Sequence, residues 1–267
     1  MGESKPWVDG PYTLISPSRS GASVGKKLTS ARAMAAEMSI VHNCLIRGIN
    51  SVYNQCINVA TRGTDTDKLD FANYAFQWTE MVHEHHSNED SRIFPSMGEI
   101  AGVPGLMDVN TNEHAVFHNR IAQYTEYLKG VIQGKEKLDG EKVKTLIDSF
   151  MPELHTHLGN EIDTLVDLEK YDKVDWDAWF KEEVGKMIKE SMGQYEYRSW
   201  LGVQVNIFPL SIISHDKSFG DGVWKDFPPI PYVVGLVLRW MYMYKNQDRW
   251  RFAGCDFKGY PKELPFA

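Results

Sequence analysis

Four long stretches of the chain carry apolar residues at the three- and four-residue spacing of amphipathic helices, and none of them alternates like a β-strand. The stretches cover residues 29–59, 68–94, 111–132 and 141–168. Thr29 or Ser30 would cap the first helix, and Pro95 and the segment 98–110 predict an end and a loop after the second. Pro152 predicts a kink or a break in the fourth. We therefore predict an all-α fold built on an antiparallel, up-down four-helix bundle.

The chain beyond this bundle has a different composition. Residues 171–267 hold 20 of the 32 aromatic residues and six of the eight tryptophans. Within them, residues 174–192 predict an amphipathic helix and residues 231–244 a buried helix. We expect three parts, which are an N-terminal extension over residues 1–28, the bundle over 29–170, and an aromatic-rich, partly helical C-terminal cap over 171–267 that packs on the bundle.

Charge and cysteine usage exclude several classes of protein. The 29 basic and 36 acidic residues give a net charge of −7, which offers no footprint for a nucleic acid. The three cysteines, Cys44, Cys56 and Cys255, are too few and too widely spaced for a disulfide framework, and they suit a reducing compartment. The most apolar segment, residues 232–244, contains Arg239 and is shorter than the ~20 residues of a membrane-spanning helix. We expect a cytoplasmic protein without a transmembrane segment.

The histidines are clustered along the sequence, because eight of the nine lie between His42 and His157. Residues four apart on a helix differ by only ~40° in direction, so they share a face. Three such pairs follow one another on the second, third and fourth predicted helices: His85 with Glu89, His114 with His118, and His157 with Glu161. His42 lies in the apolar stripe of the first helix.

Each of these residues alone has a simpler structural interpretation. A single histidine such as His42 is more often hydrogen-bonded in a core, and a single His/Glu pair is often a surface interaction. Together, however, they would bury polar groups that destabilise the fold by ~1 to 3 kcal/mol each when left unpaired. A bound metal removes that penalty, so the pattern predicts a metal site whose ligands come from four helices.

The donor set narrows the choice of metal. Five imidazoles and two bridging carboxylates would leave one open position on a pair of octahedral ions that share an oxo or hydroxo bridge. Structural zinc commonly uses cysteine, which this pattern lacks. Imidazole and carboxylate ligands with an open position favour non-haem iron that meets O2, with manganese or a mixed pair as the alternative.

The order H, HxxxE, HxxxH, HxxxE on successive helices resembles the hemerythrin, or HHE cation-binding, family, which includes four-helix bundles. The segments 41–50, 84–95 and 250–255 are also similar to fungal hemerythrin-like proteins. The resemblance implies a di-iron centre in which Glu89 and Glu161 bridge, with the open site on the iron that has two histidines. Its implied histidine ligands are His114, His118 and His157 on one iron, and His42 and His85 on the other.

The chain departs from the oxygen-carrying members of that family in several places. Glu161 stands where those members have an aspartate, which affects the bridging mode. His86 lies ~100° from His85 around the helix, so it could exchange with His85 or support the ligands. His83 and His155 lie ~200° from the nearest ligand and are expected to be non-ligands. A ferritin-like reading of residues 80–83 as ExxH requires a second such motif, which the sequence lacks.

Three functions are compatible with such a site. The first is a di-iron oxidoreductase that activates O2 or peroxide to oxidise a small hydrophobic or aromatic substrate. The second is a protein that binds O2 reversibly, stores iron or senses O2 or redox state, and the third is an interaction module with structural metals. A dry pocket, or ordinary core packing, is predicted for Val41, Leu45, Phe76 and Phe117. A substrate cover, or simple packing of the cap on the bundle, is predicted for cap aromatics: Trp176, Trp179, Phe180, Tyr195, Tyr197, Trp200, Trp240, Tyr242, Tyr244 and Trp250.

Overall fold

The computed structural model describes residues 7–28, 30–187, 207–227 and 247–267. Their regular structure is helical apart from an isolated bridge between Cys255 and Pro261, which confirms the all-α prediction. The long helices and their neighbours are α1 (Pro17–Ser20), α2 (Ser30–Arg62), α3 (Asp65–Asn88), a π-helical segment (Glu89–Ile93), α4 (Phe94–Ala101), α5 (Asp108–Ile132), α6 (Gly140–Asp167) and a 3-10 turn (Leu168–Lys170). Residues 176–187 are also helical, and short helices follow at Ile207–Ser214, Phe219–Gly222 and Gln247–Trp250.

Four helices form the bundle. α2 packs on α3 and α6, and α5 packs on the same two helices from the other side. The indole N–H of Trp78 in α3 donates to the carbonyl of Leu45 in α2 at 2.8 Å, while His85 meets His42 further along. Residue numbers therefore rise along α2 as they fall along α3, so these neighbours run in opposite directions.

Local sequence explains the tight turn between α2 and α3. The Thr64 hydroxyl accepts from the backbone N–H of Asp67 at 3.2 Å, and the Thr64 N–H donates to the Asp67 carboxylate at 2.8 Å. This capping box satisfies backbone donors at the start of α3.

Gly48 leaves room for the buried ring of Trp78, because a Cβ there would lie 2.7 Å from Trp78 Cδ1.

The prediction that Pro95 ends a helix was wrong, and of the two alternatives predicted for Pro152 the break does not occur. Pro95 does not end the second helix, because it occupies the first turn of α4, where no backbone N–H is required. The predicted loop over 98–110 is correspondingly short, since α4 reaches Ala101 and α5 begins at Asp108. Pro152 does not break α6, which runs through it as one helix packed against both α2 and α5.

Polar side chains on α2 bind the N-terminal segment to the bundle. The Asn43 side chain accepts from the Ile15 N–H at 2.8 Å and donates to the Ile15 carbonyl at 3.0 Å. Asn50 likewise accepts from the Tyr12 N–H at 3.1 Å and donates to the Val8 carbonyl at 2.8 Å. The chain before α2 is therefore fixed along the outside of this helix.

The described parts of the C-terminal region also pack on the bundle. Ser51 and Gln55 of α2 both donate to the carbonyl of Phe252. The helix Ile207–Ser214 lies against α2 and α3. Thr29, residues 188–192 of one predicted helix and all of the predicted helix 231–244 lie outside the described residues. Among the helices that are described, none has the length and apolarity needed to cross a membrane.

Candidate metal centre

Histidines from all four bundle helices converge in the interior. The Nε2 atoms of His42 and His85 lie 3.1 Å apart, and the Nε2 atoms of His114 and His157 lie 3.0 Å apart. Ligand atoms of His42, His85 and Glu89 form one compact group, within 4.8 Å of one another. Those of His86, His114 and His157 form a second group on the same criterion. We call the histidines of these two groups the first and the second cluster.

Two glutamates lie between the clusters. Glu89 Oε1 is 3.2 Å from His85 Nε2, and Glu89 Oε2 is 3.6 Å from His114 Nε2. Glu161 Oε2 is 3.5 Å from His42 Nε2 and 3.5 Å from His157 Nε2. Each carboxylate therefore faces a histidine of both clusters, which is the position a bridging ligand requires.

The shifted pKa values of these groups show that charge is unfavourable in the buried site unless a cation balances it. Burial raises the pKa of the Glu161 carboxyl to about 8 and raises the pKa of Glu89 well above its usual range. Burial also lowers the pKa of His85 to about 3, that of His114 to about 4 and that of His42 well below its usual range. The imidazoles are therefore neutral, and the two carboxyl groups resist ionisation. A metal ion that binds to this donor set would displace the carboxyl protons.

The oxygens of the two glutamates provide a direct test of that fit. All four are buried, and no group in the described residues forms a hydrogen bond with them. A buried polar atom without a partner destabilises the fold, so such atoms are rare unless an ion or water satisfies them. The nitrogen and oxygen donors, without thiolate, fit a pair of metal ions.

Three of the histidines are oriented through their outer nitrogens. His114 Nδ1–H donates to Asp90 at 2.9 Å, and His157 Nδ1–H donates to Glu113 at 2.8 Å. His42 Nδ1–H donates to the Leu158 carbonyl at 2.8 Å. Each bond leaves Nε2 directed toward the clusters, which is how ligating histidines are usually positioned.

Asp90 and Glu113 were not foreseen in the sequence. Asp90 stands four residues after His86, a spacing that could have indicated a shared helix face. Glu113 acts on His157 of a different helix, so no local pattern reveals it. The π-helical segment begins at Glu89, and such segments are frequent at functional sites.

The remaining histidines belong to neither cluster. His118 is half-buried at the edge of the second cluster, with its Nε2 3.3 Å from His86 Nδ1. His83 is exposed, and His155 lies apart, 2.7 Å from the Thr13 carbonyl. His215, the one histidine beyond His157 in the sequence, donates to the Trp224 carbonyl at 3.0 Å.

Comparison with known proteins agrees with this geometry. The family model of the hemerythrin HHE cation-binding domain matches residues 34–168, which include α3, α5, α6, nearly all of α2 and both clusters. The chain belongs to the hemerythrin HHE cation-binding family. The resemblance predicted from the order of histidines and glutamates is thereby confirmed.

One relative of this hemerythrin-family chain matches along almost its whole length. It is the dimeric xanthone biosynthesis cluster protein R11 of Cryptosporiopsis sp. (strain 8999). The two are 32% identical over 268 residues, which cover 98% of this chain and 94% of the relative. The similarity therefore includes the C-terminal region as well as the bundle. No solved structure matches the chain at a significant level.

Proposed function

We propose that this chain holds a pair of iron ions and activates O2 or peroxide to oxidise a small hydrophobic or aromatic compound. The observation that carries the proposal is the position of Glu89 and Glu161, buried between two histidine clusters without hydrogen-bond partners in the described structure. Imidazole and carboxylate donors are typical of non-haem iron that reacts with O2. Manganese or a mixed pair would suit the same donors.

The family resemblance supplies an assignment of ligands. By this assignment, Glu89 and Glu161 would be the carboxylate ligands of the two ions. The histidine ligands are His42 and His85 on one ion, and His114, His118 and His157 on the other. When bound, the iron pair would supply the electrons that reduce O2. The protein would supply position, orientation and exclusion of water.

Side chains around the clusters are suited to those tasks. Asp90 and Glu113 hold His114 and His157 by their Nδ1–H groups and make both imidazoles more electron-rich ligands. The buried ring of Phe117 lies 5.5 Å from the ring of His157, and Phe94 stacks on His114 at 5.9 Å. These rings are themselves buried, which suits them to exclude water from that side of the site. Of the predicted pocket residues, Phe117 is the one with ring contacts to the site histidines.

Of the four histidines whose Nε2 atoms face one another, the most exposed one supports a proposed entry side for a small molecule. His42, His114 and His157 are buried, with at most 1% of each exposed. His85 is 12% exposed, and it belongs to the first cluster, where the resemblance implies the open position. Entry beside α3 would bring O2 to that position.

The C-terminal region supplies a candidate substrate cover near this side. Arg92 of the π-helical segment donates to Glu183 at 3.0 Å, which fastens the helical residues 176–187 beside the site. Trp176 and Trp179 of this helix pack edge to face at 5.9 Å. The other predicted cover residues include Trp250, which is buried, and six that lie outside the described residues: Tyr195, Tyr197, Trp200, Trp240, Tyr242 and Tyr244.

The name of the relative bears on the substrate. It places that protein in a cluster for the biosynthesis of dimeric xanthones, which are aromatic compounds. Because the similarity extends over the C-terminal region, we extend an aromatic substrate class to this chain as part of the proposal. The proposed organisation is an extension over 1–28, the bundle over 29–170 and the cap over 171–267, in a cytoplasmic protein.

An O2-reactivity experiment tests this function. The protein is loaded with Fe(II) without O2, O2 is then admitted, and visible absorption and O2 consumption are followed with and without phenolic aromatic compounds. Continued O2 consumption that depends on the aromatic compound, with an oxidised product, supports the enzyme. A spectral change that reverses when O2 is removed, with no product from any compound, would instead indicate reversible O2 binding.

A further inference from the structure

Two consecutive histidines of α3 reach the centre, although the family pattern needs one there. His85 belongs to the first cluster and His86 to the second. His86 is fully buried, and its Nε2 has no hydrogen-bond partner among the described residues. A buried imidazole nitrogen in that state is either destabilising or a ligand.

The position of His86 agrees with the second interpretation. A ring nitrogen of His86 shares a compact group with those of His114 and His157. Its ring centroid lies 4.2 Å from that of His114 and 5.5 Å from that of His157. His118 is half-buried, and its ring centroid lies 5.3 Å from that of His86 and 5.5 Å from that of His114, but the compact group of ligand atoms includes no nitrogen of His118.

The hydrogen-bond chemistry of the His86 and His118 pair has two solutions. If His118 Nε2–H donates to His86 Nδ1, a neutral His86 must carry its proton on Nε2, which then cannot bind a metal. If His86 Nδ1–H donates to His118 Nε2, the Nε2 of His86 has a free lone pair. The second solution leaves no buried N–H without an acceptor, and it occupies the Nε2 of His118 as the acceptor.

The second solution also repeats the arrangement of the other inward histidines. His42, His114 and His157 each donate from Nδ1 to an acceptor and direct Nε2 toward the centre. We propose that His86 is the third histidine ligand of the metal held by His114 and His157, and that His118 is the acceptor that positions it. This inference rests on the proposed metal pair and replaces His118 in the ligand set.

Metal titration of matched variants tests the inference. Wild type, His86→Gln, His118→Gln and His83→Gln are titrated with Fe(II) in the absence of O2, and the bound iron per chain is measured after removal of excess metal. His83 is the control because it lies on the same helix and is exposed. Helical content and the melting temperature are recorded for each protein.

We expect wild type and His83→Gln to retain two ions and His86→Gln to retain one. His118→Gln should retain two, with about 10- to 100-fold weaker affinity for one of them, as for loss of a group that orients a ligand. If His86→Gln does not fold, His86→Gly with added imidazole serves instead, and recovery of the second ion with imidazole supports the assignment.

Two results would overturn it. One is loss of an ion from His118→Gln with two ions retained by His86→Gln, and the other is equal behaviour of those two variants. In both cases a wild type that binds two ions leaves the proposed metal pair intact. A wild type that binds no iron would instead refute the metal pair itself.

Discussion

The carboxylates of Glu89 and Glu161 are close enough that the charge of Glu161 adds to the effect of burial in raising the pKa of Glu89. Two acidic groups buried together repel each other when ionised, and their oxygens have no hydrogen-bond donors in the described structure. A dipositive ion on each side of the pair would remove both penalties. The metal-free protein should therefore be less stable at high pH than the metal-loaded protein.

The stability of the metal-free protein provides the first prediction. Between its ordinary pKa of 4.5 and the folded value of about 8, Glu161 binds more protons in the folded state than in the unfolded state. Stability contributed by this group is thus present below pH 4.5 and lost as the pH rises to about 8. Metal-free Glu161→Gln should become more stable relative to wild type over this range, by on the order of a few kcal/mol. Urea unfolding at a series of pH values measures the difference, and a difference that does not change with pH would contradict the buried acidic pair.

Asp90 and Glu113 should control metal affinity without binding metal. Asp90→Asn and Glu113→Gln each remove the charged acceptor of a histidine Nδ1–H, so metal affinity should fall about 10- to 100-fold. Glu126→Gln is the matched control, because Glu126 lies on α5 and pairs with Lys129 at the surface. Competition with a chelator measures the affinities. Values equal to that of the control would show that these carboxylates do not act on the metal ligands.

Arg47 should hold both terminal regions on α2. Its guanidinium is 2% exposed, donates to Asp9 at 3.0 Å and to the Ser214 carbonyl at 3.4 Å, and lies 3.9 Å from Asp216. Arg47→Met leaves the buried Asp216 without its cation, so the free energy of unfolding should fall by about 3 kcal/mol. The exposed Arg62 of the same helix gives the control Arg62→Met. Urea unfolding compares the two, and equal stability would contradict the bridging role.

Gly48 should be required for the packing of Trp78. A Cβ at this position would lie 2.7 Å from Trp78 Cδ1, and Trp78 stacks on Phe150 at 5.8 Å, which limits its movement. Gly48→Ala should therefore destabilise the bundle by about 1 to 3 kcal/mol. Gly185→Ala is the control, since no described atom lies within 4 Å of its Cβ position, and it should stabilise its helix by up to about 1 kcal/mol. Thermal unfolding distinguishes the two effects, and a neutral Gly48→Ala would show that the tryptophan can shift.

Helical periodicity made much of this architecture predictable. The four-residue spacing of His85 with Glu89 and of His157 with Glu161 places each pair on one helix face, and apolar neighbours turn that face inward. The structure brings these residues together with His42 and His114. The bundle helices begin and end within a few residues of the predicted bounds. The exception is at Pro95, where the chain stays helical although the prediction ended the helix there.

Other parts of the site depend on contacts between helices. His86 and Glu113 meet partners on different helices, so their roles follow from packing that sequence spacing does not reveal. The π-helical turn at Glu89–Ile93 alters the local helix geometry and has no simple sequence signal. The roles of the polar residues of α2 that bind the terminal segments, such as Asn43 and Asn50, could not be predicted either. Their partners are backbone groups far away in the sequence.

The effect of metal removal on folding distinguishes a reactive metal centre from a purely structural one. If the metals served only as a structural support for an interaction module, their removal would unfold the bundle. The extensive apolar core, which includes Trp78, Phe117 and Phe150, should instead keep the metal-free bundle folded at neutral pH. Circular dichroism before and after chelation checks this, and loss of helical signal on chelation would favour the structural role.

Glu89 and Glu161 should join two histidine clusters into one centre for two metal ions. The most direct test is the number of iron ions bound per chain after anaerobic loading with Fe(II) and removal of excess metal. We predict two ions in the wild type and fewer than two in the double variant Glu89→Gln/Glu161→Gln. A wild type that retains one ion or none, or a double variant that still retains two, would show that the two glutamates do not form a centre for two ions.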